Sequence, residues 1–242
     1  MARWWRSLVW RKDSDSLPVT KVERSSPLAT RPNNARPNTP VLNEVADDYF
    51  GTHKVSAGVA RALKAIGYDK PTHIQSDCIG PLLAGNDVVG QAHTGTGKTA
   101  AFGIPLVERS DPSQAFIQGL ILVPTRELAM QVRDELSRLA QFRRLGIIAC
   151  YGGQPISKQI TALKRRTHIV VGTPGRVLDH LGRGTLRLGS VRTVVLDEAD
   201  EMLDIGFLPD IERILSRTPK NRQTALFSAT VSYTHLTLPT KA

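Results

Sequence analysis

Two short stretches hold the residue types that handle phosphate. The first is "AHTGTGKT" at positions 92–99. Gly95 and Gly97 let the backbone wrap closely around an anion, and successive N–H groups with the following helix N-terminus face it. Lys98 adds a point charge for the β and γ oxygens of a nucleotide, and Thr99 offers a hydroxyl to Mg²⁺. Ala92, His93, Thr94 and Thr96 complete the loop, which follows the pattern GxxxxGK[ST] except that Ala92 stands in place of the first Gly. The second stretch is "VVLDEAD" at 194–200, about a hundred residues after Lys98. Asp197 supplies a hard oxygen for Mg²⁺, and Glu198 can orient or deprotonate an attacking water. The plain alternative for the first is a Gly-rich strand-to-helix turn, and the second, taken alone, reads more readily as an exposed acidic turn. Each directly follows an apolar run, and that placement points to one phosphate and Mg²⁺ site.

Those runs are "DVVGQ" (87–91), "LILV" (120–123), "GIIA" (146–149), "HIVVG" (168–172), "TVVLD" (193–197) and "TALFS" (224–228). They alternate with amphipathic segments. In "TRELAMQVRDELSRLA", Leu128, Val132, Leu136 and Leu139 share one helical face, and "AGVARALKAIGY" predicts a helix ending near Gly67. Continuous β-branched runs between helices mean strands buried on both faces, so a doubly wound, mostly parallel α/β sheet with helices on both faces is expected. In such sheets ligands bind beyond the carboxyl ends of the strands. Five polar clusters follow five of the runs and should therefore line one edge.

With these motifs in this order, the sequence resembles the DEAD-box RNA helicases of superfamily 2, in the first of their two RecA-like domains. The resemblance covers roughly Phe50 to Thr230. It implies a P-loop, RecA-like fold, ATP and Mg²⁺ as cofactors, and RNA backbone as partner. Phe50 stands seventeen positions before Gly67, as in the family's adenine-recognition segment, which continues "GYDKPTHIQ". By resemblance Tyr68 packs near adenine and Gln75 hydrogen-bonds its edge, since a side-chain amide both donates and accepts; without the family Gln75 would read as a surface helix residue. "PTREL", with Pro124, Thr125 and Arg126, the pair Gly152–Gly153, and "TPGR", with Thr173, Pro174, Gly175 and Arg176, resemble the family's RNA-backbone contacts. Thr hydroxyls, bare Gly N–H groups and Arg suit phosphates and sugars without reading bases, although each cluster alone reads as a turn or cap. Ser228, Ala229 and Thr230 resemble the segment coupling nucleotide state to RNA, through the Asp200 side of the acidic motif. Asp200 and Gln75 together favour the DEAD group over the related DEAH group. The closest likeness is to bacterial members of the cold-shock or ribosome-assembly kind.

The organisation expected is a basic arm at 1–47, an adenine-recognition segment at 48–76, an ATP-binding RecA-like domain at 77–230, and a tail at 231–242 that departs from the family. The chain has 242 residues, 40% hydrophobic, with a net charge of +10, which favours polyanionic partners. Residues 1–40 carry eight Lys/Arg and three Asp/Glu, half of the excess. "MARWWRSLVWRK" reads as a disordered basic arm, with an interfacial anchor or targeting signal as alternatives. Cys78 and Cys150 lack a CxxC partner and read as buried thiols in a reducing, cytoplasmic setting. No apolar run reaches the length of a membrane span. Twelve residues after Thr230 are too few for another βαβ unit, so the expectation is an ATP-binding lobe without its facing second domain, nearly inactive by itself. The alternative is a one-lobed RNA- or partner-binding module without turnover.

Overall fold

The structure is a computed structural model that describes residues 48–93 and 95–229. The basic arm and the tail therefore lie outside the described residues, as do Thr94 and Thr230.

Six apolar runs pair as one sheet: β3 (Val88–Gln91), β4 (Gly119–Leu122), β5 (Ile147–Cys150), β6 (Ile169–Gly172), β7 (Thr193–Leu196) and β8 (Gln223–Ser228). Their order is β3-β8-β7-β4-β6-β5, and every pairing in it is parallel. A separate two-residue ribbon joins β1 (Tyr49–Phe50) to β2 (His53–Lys54). Parallel strands need crossovers, and the amphipathic segments supply them: α3 (Lys98–Arg109), α4 (Arg126–Leu139), α5 (Ile156–Leu163), α6 (Pro174–Gly182), α7 (Ala199–Asp204) and α8 (Leu208–Leu215). Two earlier helices, α1 (Ala57–Ala65) and α2 (His73–Leu83), precede β3.

The period of two along each strand divides the core in two. Ile121, Val171, Val195 and Ala225 stand side by side in register and face α1 to α4. Leu120, Val170 and Val194 form the matching row on the opposite face, against α6 and α8. Every residue of β4, β6 and β7 is buried, so these central strands read as unbroken apolar runs. Edge strand β5 keeps Ile147, Ile148 and Ala149 half-buried. The helix from "AGVARALKAIGY" stops at Ala65, and Gly67 follows with φ 78°. Cys78 and Cys150 are free and buried; burial pushes both thiols up to about 12. Among the described residues no helix is long and apolar enough to cross a membrane.

The consequence for function lies at the carboxyl ends. β3, β4, β5, β6, β7 and β8 end at Gln91, Leu122, Cys150, Gly172, Leu196 and Ser228. Each polar cluster begins within one or two residues of those ends, on a common edge of the sheet.

Candidate functional site

The phosphate loop joins β3 to α3. Gly97 caps α3 with φ 92°, a left-handed backbone that glycine adopts freely. A side chain there would also run into the Gln75 amide. The loop is tied internally by the Thr96 hydroxyl, which donates to the His93 carbonyl at 2.7 Å. Ala92 is anchored by its N–H on the Ser228 carbonyl at 3.1 Å. His93 and Gly95 are exposed at the mouth.

The acidic motif follows β7, next to β8 in the sheet. Lys98 and Glu198 meet there: Nζ donates to Oε1 at 2.6 Å, and Asp197 Oδ1 lies 3.9 Å from the same nitrogen. All three residues are buried. Glu198 sits at φ 50° and ψ 51°, one of two non-glycine residues with positive φ among the described residues. Such a conformation is disfavoured for a glutamate, and here it accompanies the side chain's contact with Lys98. The Glu198 N–H donates to Asp197 Oδ1 at 3.0 Å. Burial pushes the Asp197 carboxyl up to about 6, with Glu198 and Glu135 adding to the rise against the pull of Lys98. Two acids around one lysine leave a surplus of negative charge in a dry place, which a divalent cation would relieve.

The donor set suits Mg²⁺. Asp197 gives a carboxylate oxygen, and Thr99, in the first turn of α3, a hydroxyl. Among the described residues no group of three His, Cys, Asp or Glu side chains is arranged for a metal. Mg²⁺ commonly takes one or two carboxylates and completes its shell with water and phosphate.

Gln75 is buried rather than on the surface. Its Oε1 accepts from the Thr72 N–H at 2.9 Å, closing the first turn of α2, and its Nε2 donates to the Gly97 carbonyl at 3.1 Å. The Thr72 hydroxyl donates to the Thr96 carbonyl at 2.9 Å. The segment before β3 is therefore clipped to the phosphate loop by two bonds. One amide hydrogen and one lone pair of Gln75 remain for a base edge. Phe50 lies in the core beneath this segment. Tyr68 packs half-buried against the same core, and its hydroxyl donates to Glu135 Oε1 at 3.2 Å.

Glu135 is the residue that sequence reasoning missed. It lies on α4, half-buried, where burial raises its carboxyl while bonds from Tyr68 and Thr99 lower it. It thus touches Tyr68, before α2, and Thr99, in the first turn of α3, together. One signal was available. Glu135 stands seven residues after Leu128, on the border of the apolar stripe, where a charge needs a partner.

The remaining clusters form the other half of the edge. Thr125 accepts the Leu128 N–H at 3.2 Å and caps α4, so the turn-or-cap reading holds for this threonine in the chain as it stands. Pro124 is buried and Arg126 exposed. Gly153, at φ 82°, leaves room for the Arg126 guanidinium, which a side chain there would crowd at 3.0 Å. "PTREL" and Gly152–Gly153 are thereby neighbours. Thr173 and Pro174 open α6. Gly175 is exposed, and Arg176 directs both terminal nitrogens at the Gln154 carbonyl, at 3.2 and 3.3 Å. Ser228 is buried and Ala229 half-buried. Leu196 pairs with Leu226, so Asp197–Asp200 and Ser228–Ala229 leave the sheet on adjacent strands.

The profile of the DEAD/DEAH box helicases matches residues 72–237. The chain belongs to that family. It is 54% identical over 182 residues to the DEAD-box ATP-dependent RNA helicase CshA of Bacillus licheniformis, covering 75% of this chain and 37% of that protein. The CshA of Geobacillus kaustophilus is 54% identical over 177 residues, 73% of this chain and 38% of the relative. Among solved structures, a DEAD box protein from Methanococcus jannaschii superposes with a TM-score of 0.71 at 47% identity, covering 74% of this chain and 49% of the other. A hypothetical ATP-dependent RNA helicase from Sulfolobus tokodaii gives 0.68 at 38% identity, with 73% and 51% covered. The described lobe is the N-terminal RecA-like domain of the DEAD-box group, and the chain spans little more than a third of the curated relatives it matches.

Proposed function

We propose that this chain is the ATP-binding lobe of an RNA helicase, which couples ATP binding and hydrolysis to RNA binding and local duplex unwinding in a full-length protein. The observation that carries the reading is the buried contact of Lys98 with Glu198, beside Asp197 and under a left-handed Gly97. Three groups with separate tasks on a nucleotide triphosphate converge there from segments about a hundred residues apart.

Lys98 exchanges its carboxylate partner for β and γ phosphate oxygens when ATP enters. Glu198, released by that exchange, is placed to orient the attacking water and take its proton. Asp197 and Thr99 would hold Mg²⁺, which would neutralise charge on the phosphates. The loop Ala92–Thr99 wraps the phosphates. Gln75 turns its spare donor and acceptor to the adenine edge, with Phe50 and Tyr68 shaping the segment behind it. Asp200 with Ser228, Ala229 and Thr230 carries the nucleotide state towards the RNA loops. Pro124, Thr125, Arg126, Gly152, Gly153, Thr173, Pro174, Gly175 and Arg176 hold RNA by its backbone, without preference for sequence. A cytoplasmic setting fits two free thiols.

In this family a second RecA-like domain faces the first across the nucleotide and adds arginines. Such an arginine contributes roughly 10³–10⁵ in kcat. Assayed alone, the 242-residue chain should bind adenine nucleotide weakly, hydrolyse it barely and leave duplexes intact. The test is calorimetric titration with Mg²⁺–ATP, followed by single-turnover hydrolysis with and without RNA. Robust RNA-stimulated turnover by this chain would overturn the statement about activity in isolation. Nucleotide binding unaffected by Lys98→Ala would overturn the site itself.

A further inference from the structure

Behind the two exposed glycine-bearing loops lies a buried polar network that no step above uses. Gln159, on α5, and His180, on α6, are both buried. His180 Nε2 stands 2.8 Å from Gln159 Oε1, and Gln159 Nε2 donates to the Tyr151 carbonyl at 2.9 Å. Tyr151 is the residue before Gly152 and Gly153. On the far side of the ring, His180 Nδ1 lies 2.9 Å from the Thr185 hydroxyl.

The bonding fixes the proton positions. The Gln159 amide nitrogen is committed to Tyr151, so its oxygen faces His180 and must accept. His180 therefore carries its proton on Nε2, and Nδ1 is left as an acceptor facing the Thr185 hydroxyl, whose single proton also lies within reach of the His180 carbonyl at 3.1 Å. Burial, with Arg176 nearby, lowers the imidazole pKa and keeps the ring neutral. The side-chain polar atoms of Gln159 and His180 each face a partner.

These contacts close a circuit. From the Tyr151 carbonyl it runs through Gln159 to His180, along α6 to Arg176, and from Arg176 to the Gln154 carbonyl. A backbone bond, Thr173 N–H to Cys150 carbonyl at 3.0 Å, runs beside it. The circuit spans both Tyr151–Gly153 and Thr173–Arg176. Buried polar groups cost free energy unless fully bonded, and an apolar pair would fill this space without specifying how the loops sit.

We propose that Gln159 and His180 are positioning residues that hold the Gly152–Gly153 loop and the Thr173–Arg176 turn in fixed relation, so that an RNA backbone meets two loops already in place. The proposal rests on the RNA-binding reading of those loops. Neither residue touches RNA; they act through Tyr151 and α6.

The experiment uses the 242-residue chain, a fluorescent single-stranded oligouridylate for anisotropy, and a fluorescent ATP analogue as control. Gln159→Met keeps length and removes both bonds. His180→Gln places an amide nitrogen where Nε2 stands and keeps the bond to Gln159. His180→Asn places one where Nδ1 stands and loses it. The result expected is RNA affinity about fivefold weaker in Gln159→Met and His180→Asn, near-normal affinity in His180→Gln, and unchanged nucleotide affinity in all three. In amide NMR spectra of the free chain, Gln159→Met should shift Gly152, Gly153 and Gly175 while Gly95 and Gly97 stay in place. The proposal is overturned if His180→Gln is as weak as His180→Asn, if RNA and nucleotide affinities fall together, or if the Gly175 signal does not move. Should the unmutated chain fail to hold the RNA, the RNA reading falls, and the glycine signals alone decide the positioning claim.

Discussion

The two halves of the sheet edge are built on opposite plans. On the nucleotide half the functional groups bond to one another. Lys98 is held by Glu198, and Gln75 by Gly97 and Thr72. On the RNA half four of the named residues face outward, while Thr125 caps α4 and Arg176 bonds to the Gln154 carbonyl. Arg126, Gly152, Gly153 and Gly175 are exposed, and the bonding that fixes their loops lies behind them. A ligand on the first half has to displace existing bonds, so its net affinity is a difference between two strong terms. A ligand on the second half adds bonds to a surface already shaped. The first plan makes binding a switch, and the second makes it a clamp.

The largest expected effect comes from removing the charge around which the first half is organised. Lys98→Ala takes away the proposed phosphate contact and leaves Asp197 and Glu198 without their cation in a buried site. A charged hydrogen bond contributes about 1.5–3 kcal/mol, so Mg²⁺–ATP affinity should fall roughly tenfold to a hundredfold or more by calorimetry. RNA affinity in the absence of nucleotide should hold. A parallel loss of RNA binding would show that the halves share one organisation, and the comparison would break.

Second comes acidity. Asp197 is pushed up to about 6 from an ordinary 3.8. Between those values the folded metal-free chain keeps a proton that the unfolded chain gives up. The stability from this group is therefore complete below pH ~4 and is lost as pH rises through about 6. The amount is on the order of 3 kcal/mol. Thermal unfolding in a chelating buffer should show this loss, Asp197→Asn should flatten it, and Glu135→Gln should move it to lower pH by removing a neighbouring negative charge. The RNA half has no buried acid pair of this kind among the described residues. A profile unchanged in Asp197→Asn would place the strain elsewhere.

Third, Glu198→Gln sharpens the contrast. The 2.6 Å contact with Lys98 is charge-assisted, and such bonds are roughly twice as strong as neutral ones. A neutral amide competes less well with phosphate, so Mg²⁺–ATP should bind up to about tenfold tighter while the slow hydrolysis falls further. Weaker binding in this variant would mean that Glu198 does not oppose the nucleotide.

The same division explains what could be read from the letters. The strands were legible because burial on both faces leaves unbroken runs such as "TVVL" and "IVVG", and the end of every run lies within one residue of the end of its strand. The positions of the loops were legible because parallel strands send every carboxyl end to one edge. Chemistry carried by a single loop, as at Lys98 and Asp197, could be read from local pattern. Chemistry carried by contact between distant helices could not. Glu135 looks like an ordinary charge on an amphipathic helix until Tyr68 and Thr99 are beside it. Gln159 and His180 have nothing in their own neighbourhoods to mark them, since their meaning is the 2.8 Å between them. Gln75 stands out on family pattern alone, and its burial and its bond to Gly97 depend on a turn twenty-two residues away. Thr125 shows the reverse case: its bond to Leu128 is a local cap, and the plain reading described it well.

The smallest effect belongs to the outward half. Arg126 is more than half exposed, and it pairs with its equally solvent-facing neighbour Glu127 at 2.9 Å. Surface pairs of this kind contribute little, so Arg126→Ala should change stability by less than about 0.5 kcal/mol. If the guanidinium contacts a phosphate, the variant loses one released counterion. Its log affinity against log salt for single-stranded RNA should then flatten by about 0.7, and by the same amount for every sequence tested. Nucleotide affinity should not change. A loss that varied with base sequence would mean that this loop reads bases, and the outward half would then be more than a clamp on the backbone.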